Sequence, residues 1–590
     1  MGTVLVLSVA LRMVAFVELN KGPSFWLHRW HGTDMHFFDL WARTISEGDV
    51  LTDRSLHPYS PWHQRLSREF IRRYPEKTLQ VLGRRVADPD DPEASRALWD
   101  RWYGGKRLHQ GPLYPYSVAL TYKMLGHDPR WVFAWQLALG ALANALIFLI
   151  AYRHFGALVG TVSGFLAVLC APMLFYETVL LRSALILFFG VLLVYLADQA
   201  LARQTTWRWG ITGAALGLAM LLKSTFASLG LGFVALLFYR FREQPKRLIL
   251  PTLALAGSTL FVLIPLVVRN AKVGAPLTSS TSVGAITFAC ANTVDYRPKS
   301  GFSISEYFVP AIFAQTDGHF GPTVVETLKT HPSALSWIKQ LWGKFVFAGH
   351  WYEKPNNTNF YYARLHSAVL RYLPITFWFL APMGLLGLVL GVRRAWSLAT
   401  LYLLVLTHLA PLLLFYGLSR FRAPLASALV PFAAVALVSI AGWLISCDWK
   451  RLAFACAGLV LVMLSTAKPI DHPLISAAYY HGSFTIFYTP SRSYLVRAAS
   501  ASGRVEDWRF VARFIEDSLR TEPVTVKRLG PERTAQDRAE AELARMYSEA
   551  RQELSQALAK TGDLEGARRQ ARRAEELRAA AAVRLDPQAE

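Results

Sequence analysis

Four cysteines in 590 residues, none spaced as Cys-x-x-Cys, leave neither a disulfide framework nor a cysteine metal site to read. Charge is scarce as well. Asp, Glu, Lys and Arg make up 18% of the chain, where soluble proteins average about 25%. Acidic residues are the scarcer half, 41 against 63 basic, and the formal net charge is +22. Also missing are a Walker A loop, a Rossmann glycine fingerprint, a Gly-x-Ser-x-Gly elbow and the protein-kinase set in any suitable context. Nucleotide-sugar chemistry on a soluble Rossmann domain is thereby disfavoured. No His-Glu-x-x-His pattern offers a zinc centre.

What is there is apolar length. The chain is 53% hydrophobic with mean hydropathy +0.26. Runs of about 17–22 residues with almost no charge recur, long enough to cross about 30 Å of hydrocarbon. The reading is an all-α polytopic membrane protein with about eleven spans: 3–19, 131–152, 157–173, 180–199, 209–226, 228–240, 249–268, 372–391, 397–416, 424–446 and 451–467. The first run is closely followed by more chain of the same kind and lacks a small-residue cleavage site and a basic n-region, so it does not read as a cleaved signal peptide. The missing basic flank fits a start upstream of Met1. With the N-terminus inside, the inner loops hold Arg153-His154, Arg203/Arg208, Arg240/Arg242/Lys246/Arg247, Arg393-Arg394 and Lys450-Arg451. All are basic, as cytoplasmic loops should be. The surplus positive charge is therefore assigned to membrane flanks and anionic headgroups, not to nucleic acid.

An odd number of spans puts the C-terminus outside. Residues 1–470 then form the transmembrane domain, with 20–130 and 271–371 as large external loops. The apolar stretch 113–126, with Pro115 and Lys123, reads as an interfacial helix. A linker covers 471–502. The tail 503–590 turns polar and helical, and Leu554, Leu558, Gly562, Ala567, Ala571 and Ala574 follow much of one tetratricopeptide repeat. The alternative is a plain helical hairpin; as a repeat it would offer a surface to a protein partner.

Ionisable groups at a membrane edge are costly and point to function. Asp34, Glu177, Arg182, Lys223, Arg269, Arg420 and Arg422 all fall at expected outer span ends. Cations for a lipid phosphate and a carboxylate for proton transfer are what such a group offers. Thr33-Asp34 also reads as a helix cap, a role compatible with catalysis. Asp39 reads as a solvated helix residue, or as a second site acid. Glu177 and Arg182 read as a structural ion pair, or as site members. Arg269-Asn270 ends an apolar span and is followed by Gly274, the Ser/Thr run 278–282, Gly284 and Asn292. That polar run suits a phosphate or sugar, unless Arg269 is a snorkelling anchor. Arg420-Phe421-Arg422 sets two guanidinium groups around an aromatic ring, suited to bidentate phosphate binding or to anchoring. The first outer loop also holds His28, His31, His36, His57, His63 and His109. A divalent metal among them with Asp34 is one reading; interfacial histidines are the simpler one.

In their order along the chain, these residues resemble the polytopic glycosyltransferases of the C superfamily. The resemblance is to the branch of dolichyl-phosphate-mannose protein mannosyltransferases and bacterial aminoarabinose transferases. That pattern begins with an acid, an aromatic four on, Ala eight on and Gly six further. Asp34, Phe38, Ala42 and Gly48 match it, with Phe in place of the usual Tyr. A Pro-rich turn into an apolar helix follows, matched by Gly111-Pro112-Leu113-Tyr114-Pro115 and Leu125-Gly126. Arg269-Asn270, Gly274 and Gly284 match an Arg-Asn-Gly series, with Ala291-Asn292 for its Gly-Asn. Arg420-Phe421-Arg422 with Pro424 matches a late Arg-aromatic-Arg before Pro. The resemblance spans 3–467. Departures are the charged insert 49–108, Met35 instead of a second acid, and His109-Gln110 where a Lys often precedes the Pro turn; Lys106 is out of register.

The resemblance implies an integral-membrane glycosyltransferase with a polyprenyl-phosphate-linked sugar as donor and Asp34 as the base. Arg269, Arg420 and Arg422 are expected to hold the donor phosphate; Glu177, Arg182, Asn270, Asn292, Asp39 and His109 are further candidates. The activated lipid phosphate needs no ATP, and no cofactor is expected. The acceptor is a protein, lipid or glycan. Other classes stay open: a polysaccharide polymerase or ligase, a flippase of lipid-linked precursors, or a scaffold for the C-terminal helices. High Ala, Leu and Arg usage suggests a GC-rich bacterium, which would make the site periplasmic and the location the inner membrane.

Overall fold

The computed structural model describes residues 1–30, 33–54, 56–203, 205–298, 304–354, 356–466, 489–519 and 535–585. His31 and most of the expected linker, 471–488, lie outside them. Among the described residues the fold is helices joined by turns and loops, with isolated bridges and no strand, one of the bridges between Cys170 and Ile375.

Each expected span has a helix. Seven are long and apolar enough to cross a membrane: Gly2–Lys21, Pro129–Phe155, Ser183–Arg203, Lys246–Val273, Phe377–Arg394, Ser419–Ile445 and Trp449–Thr466. Ala157–Val168, Ser224–Arg240 and Ala399–Leu414 are apolar but shorter, and Thr206–Leu222 completes the set. The run 157–173 is cut where Pro172 opens a new helix, Ala171–Glu177. The backbone polar groups freed at this break pair with the start of a later span: Ala171 N–H donates to Ile375 O at 2.9 Å and Ile375 N–H to Leu169 O at 3.3 Å. That satisfaction is what irregular backbone at membrane depth requires.

Small residues let the helices approach closely. A Cβ on Gly213 would lie 2.2 Å from Leu255 O, and one on Gly387 1.8 Å from Phe432 O. One deep charge pair sits among the spans. Arg12 on the first helix donates to both Glu177 oxygens at 2.8 and 2.7 Å, and both side chains are buried. Glu177 thus pairs with Arg12. The expected pair with Arg182 does not form, because Arg182 is drawn elsewhere.

The first outer loop is a set of short helices: Asp34–Ser46, Pro61–Arg73, Pro75–Leu82, Pro92–Trp102 and Leu113–Leu125. Three begin on Pro, whose fixed φ and missing N–H suit a first helical turn. The second contributes Gly284–Asn292, Phe308–Thr316, Phe320–Lys329 and Ala334–Ala348. Both loops share one aromatic core, in which Leu66, Phe70, Trp99 and Trp102 meet Ile286, Phe313 and Tyr416.

The chain divides into two compact units. The first is Met1–Val17, His31–Asn357 and Ala368–Lys468; the second is Glu18–Trp30, Thr358–Ser367 and Pro469–Glu590. Within the second, Thr489–Ser502 packs on the 3-10 turn Pro23–Arg29. Arg497 stacks 4.3 Å over Trp30, and Ser367 donates to Glu18 at 2.6 Å. Ala535–Thr561 and Leu564–Leu585 form a hairpin closed by Leu554, Ala557, Ala567 and Ala574. Ser548 and Ser555 cross it to the carbonyls of Ala574 and Ala567. Val505–Leu519 packs on this hairpin as a third helix.

Candidate active site

Thr33, not Asp34, caps the helix Asp34–Ser46: its hydroxyl accepts from His36 N–H at 3.2 Å. Asp34 is the first residue of the first turn, where the helix dipole favours a negative charge. Its carboxylate is free for other work. Phe38 and Ala42, one and two turns on, are buried in the packing of this helix against Leu113–Leu125, and Phe38 meets Tyr114 edge to face at 5.0 Å. The Asp-Phe-Ala spacing therefore holds a helix on its neighbour with the acid at the exposed end.

Arg420 Nη1 donates to Asp34 Oδ2. The pair is mostly shielded, yet 18% of the Asp34 side chain stays open, which leaves room for a substrate group. Arg420 also lies over the Phe421 ring, 4.5 Å from its centroid. The other face of the cluster is built by the ends of two spans. Ser183 donates to Arg420 O at 3.3 Å, and Arg182 beside it donates to Leu222 O at 3.1 Å. Lys223 follows Leu222, and its ammonium stands 5.9 Å from the Phe421 ring. No hydrogen bond or ion pair to it occurs among the described residues. The charges of Arg420 and Arg182 both act on Asp34. Two guanidinium groups thus act on one carboxylate, with the Lys223 amine beside Phe421.

His109 closes the site from the first loop. Gly111 makes this possible: a Cβ there would lie 2.5 Å from Leu222 O and 2.6 Å from Leu221 O, so only Gly lets the Gly-Pro turn touch the span end. Thr281 of the second loop donates to His109 O at 2.8 Å. The ring is packed edge-on against Phe37 and Tyr103 at 5.2 and 4.8 Å, with its Nδ1 buried and unbonded. Burial drives the His109 pKa down to about 3, so the ring is neutral. Burial also pushes the Asp34 carboxyl upward, but the Arg420 charge and hydrogen bond, with smaller help from Arg182, outweigh it. The net shift is downward.

Other expected members stand apart. Arg269 donates to the carbonyls of Leu51 (2.8 Å), Lys106 (2.7 Å) and Thr52 (2.5 Å) and to Asn270 Oδ1 (3.1 Å). Four of its five N–H groups are thus engaged, three of them fastening the first loop. Asn270 donates to the carbonyls of Pro276, Leu277 and Ser279, shaping the following turn. Arg422 points away from Arg420. It pairs with Glu353 at 2.9 Å, donates to the carbonyls of Ala348, His350 and Tyr352, and stacks on Phe377. Asn292 donates to Phe288 O and Leu414 O and accepts from Trp337 and Lys344. Asp39 is not solvated: it is buried, accepts from Tyr122 at 2.6 Å and pairs with Arg43 at 3.0 Å. Lys223 joined the edge charges in the sequence, but nothing there singled it out. The Gly111 contact with its span end is what brings it in.

The histidines do not assemble a metal centre: among the described residues no three His, Cys, Asp or Glu side chains gather to hold an ion. His57 bonds Asp100 at 2.7 Å, His63 meets Tyr103 at 3.1 Å, and His28 bonds Phe25 O at 2.8 Å. A polar cleft of about 410 Å³, lined by Asp100, Arg101, Arg107, Asp317 and His319 among others, opens between the two outer loops and does not include the Asp34 cluster.

Residues 109–268 match the family model of dolichyl-phosphate-mannose-protein mannosyltransferase. No curated protein matches in sequence. Among solved structures, AglB, an oligosaccharyltransferase from Archaeoglobus fulgidus in complex with an inhibitory peptide and a dolichol-phosphate, is similar at 14% identity and TM-score 0.33, over 86% of this chain and 61% of that one. ArnT from Cupriavidus metallidurans, bound to undecaprenyl phosphate, is similar at 13% identity and TM-score 0.32, over 92% of this chain and 75% of that one. The chain thus spans less than two thirds of the oligosaccharyltransferase's length. The matched segment begins at His109 and carries Glu177, Arg182 and Lys223, and over those residues the chain is similar to that family.

Proposed function

We propose that this chain is an integral-membrane glycosyltransferase. It moves a sugar from a polyprenyl-phosphate donor to a protein, lipid or glycan acceptor at the outer face of a bacterial inner membrane. The observation that carries the proposal is the charge imbalance of the site: Arg420 and Arg182 act on Asp34 alone. Partly desolvated cations left in excess call for an anion. A lipid phosphodiester brings one negative charge, and the departing lipid phosphate develops a second.

The steps follow from the residues. Arg420 and Arg182 hold the phosphate through their N–H forks, and Lys223 adds a flexible N–H donor beside them. Asp34 sits at the boundary between these cations and the open side, where it takes the proton of the acceptor hydroxyl or amine. The acceptor oxygen or nitrogen bonds the anomeric carbon, and the bond from that carbon to the phosphate oxygen breaks. Its electron pair goes to the lipid phosphate, which the cations stabilise. Arg269 and Arg422 act through the frame, by holding the first loop and the head of the helix Ser419–Ile445.

Asp34→Asn tests this in the purified full chain. The helix keeps its Thr33 cap, so thermal stability should hold. Turnover of a polyprenyl-phosphate sugar should fall by about 100- to 10,000-fold, the usual loss for a general base, with donor binding retained. Turnover above a tenth of the starting rate would remove Asp34 from the chemistry.

A further inference from the structure

The helix Ala334–Ala348 lies in the segment read from sequence as an external loop, yet it is built inside out. Its buried side carries Gln340 and Lys344 together with Phe347 and Ala348 at its end. Gln340 donates to the carbonyls of Thr293 and Tyr296, and the Lys344 ammonium donates to Asn292 Oδ1 at 2.9 Å. Its outer side carries Leu335, Ile338 and Trp342, exposed by 59, 55 and 64%. Phe345, partly exposed, continues the line and stacks on Trp342 at 5.4 Å. The spacing of three, four and three residues puts all four on one stripe. Such a stripe in water would be a liability.

The neighbouring helix Phe320–Lys329 repeats the inversion. It buries Thr323 and Thr327, whose hydroxyls find Thr316 and a backbone carbonyl, and exposes Phe320 and Val325.

We infer that Ala334–Ala348 is embedded in the outer leaflet with its Leu335–Ile338–Trp342 stripe against lipid acyl chains. Three observations carry this beyond the apolar face itself. The helix packs on two apolar spans, Ala399–Leu414 and Trp449–Thr466, so its stripe continues a surface already made for lipid. The second of these spans exposes Phe454, Leu461 and Leu464. The polar groups that a water-facing helix would turn outward are instead satisfied inward, as lipid surroundings demand. Lys339 stands at the stripe's edge, a snorkelling cation of the kind that holds a segment at the headgroup level. The inference does not depend on the transfer reaction. It does place a lipid-facing element next to the site, since Phe347 at its end lies against Gly417, three residues before Arg420.

Spin-label accessibility tests it on the full chain. A nitroxide is attached to Ile338→Cys, with the exposed Cys447 and Cys456 changed to Ser. The protein is placed at low density in vesicles of phosphatidylethanolamine and phosphatidylglycerol. Labels on Phe454→Cys, in a span, and on Arg72→Cys, on an exposed outer helix, are the references. The label at 338 should favour oxygen over a water-soluble nickel chelate several-fold more than the label at 72, matching the one at 454. Nickel access equal to that at 72 would overturn the inference. So would strong spin–spin broadening at low density, which would mean that a second copy of the chain covers the stripe. Leu335→Cys, labelled in the same way, gives an independent reading if the 338 variant folds poorly.

Discussion

A carboxylate works as a base only over the pH range its neighbours allow. Asp34 is held ionised below its ordinary range because Arg420 outweighs the cost of burial. The base form therefore survives as the medium is acidified, and activity should be lost only when pH falls through the lowered value. In Arg420→Gln the burial cost remains and its main compensation is gone, so the acid limb of the kcat/KM profile should move to higher pH, with weaker donor binding. An unmoved limb would separate Asp34 from Arg420 in function. Arg422→Ala should behave differently. It removes a buried ion pair with Glu353, a loss of about 3–5 kcal/mol for such pairs, read as a lower melting temperature rather than a changed pH profile. The sequence brought out Asp34 and both arginines but gave them one role. Residues two apart on a helix lie about 200° apart around it, so once Ser419–Ile445 is a helix from its first residue, Arg420 and Arg422 must face opposite ways. Asp39 was misread for another reason: its partner Tyr122 is 83 residues away, and no local pattern announces it.

At the scale of elements, the apolar runs were fully legible, because crossing hydrocarbon imposes a length and a composition on each one. The joints were not. A proline marks the break at 169–172, but the strand-like pairing with Ile375 that satisfies it comes from 200 residues further on. The role of Arg269 was missed likewise, since three of its acceptors are backbone carbonyls and carry no side-chain signature. Gly111 shows how tightly loop and span are fitted. Gly111→Ala would force the first loop off the carbonyls of Leu221 and Leu222, an overpacking cost of about 1–3 kcal/mol. Because the displaced loop carries His109, turnover should drop more than thermal stability does; a stable variant with unchanged turnover would show that His109 has no part in the site. Gly387→Ala, deep between two spans and far along the chain from these residues, should lower thermal stability and leave the pH profile of the surviving enzyme as it was.

For the whole molecule, the distribution of basic residues implies a topology that membrane-impermeant thiol reagents can check. Single cysteines introduced near residues 100 and 320 should be labelled from outside, and one beside Arg394 only after the membrane is opened. A cysteine near residue 550 should label with the first group, because the C-terminal helices share a compact unit with Glu18–Trp30, just beyond the first span. Labelling of 550 only from inside would break the eleven-span count. That second unit has a further consequence, in time. Its pieces leave the ribosome far apart: residues 18–30 are followed by about 460 residues before Thr489 appears, roughly 20–90 s at a synthesis rate of about 5–20 residues per second. Through that interval Trp30 waits for Arg497 and the turn Pro23–Arg29 waits for the helix that packs on it. A chain that stalls or is clipped before residue 489 would carry every span yet leave this unit unfinished, with its first aromatic residues uncovered. Envelope proteases that survey newly inserted proteins would have a direct way to tell the complete chain from the truncated one.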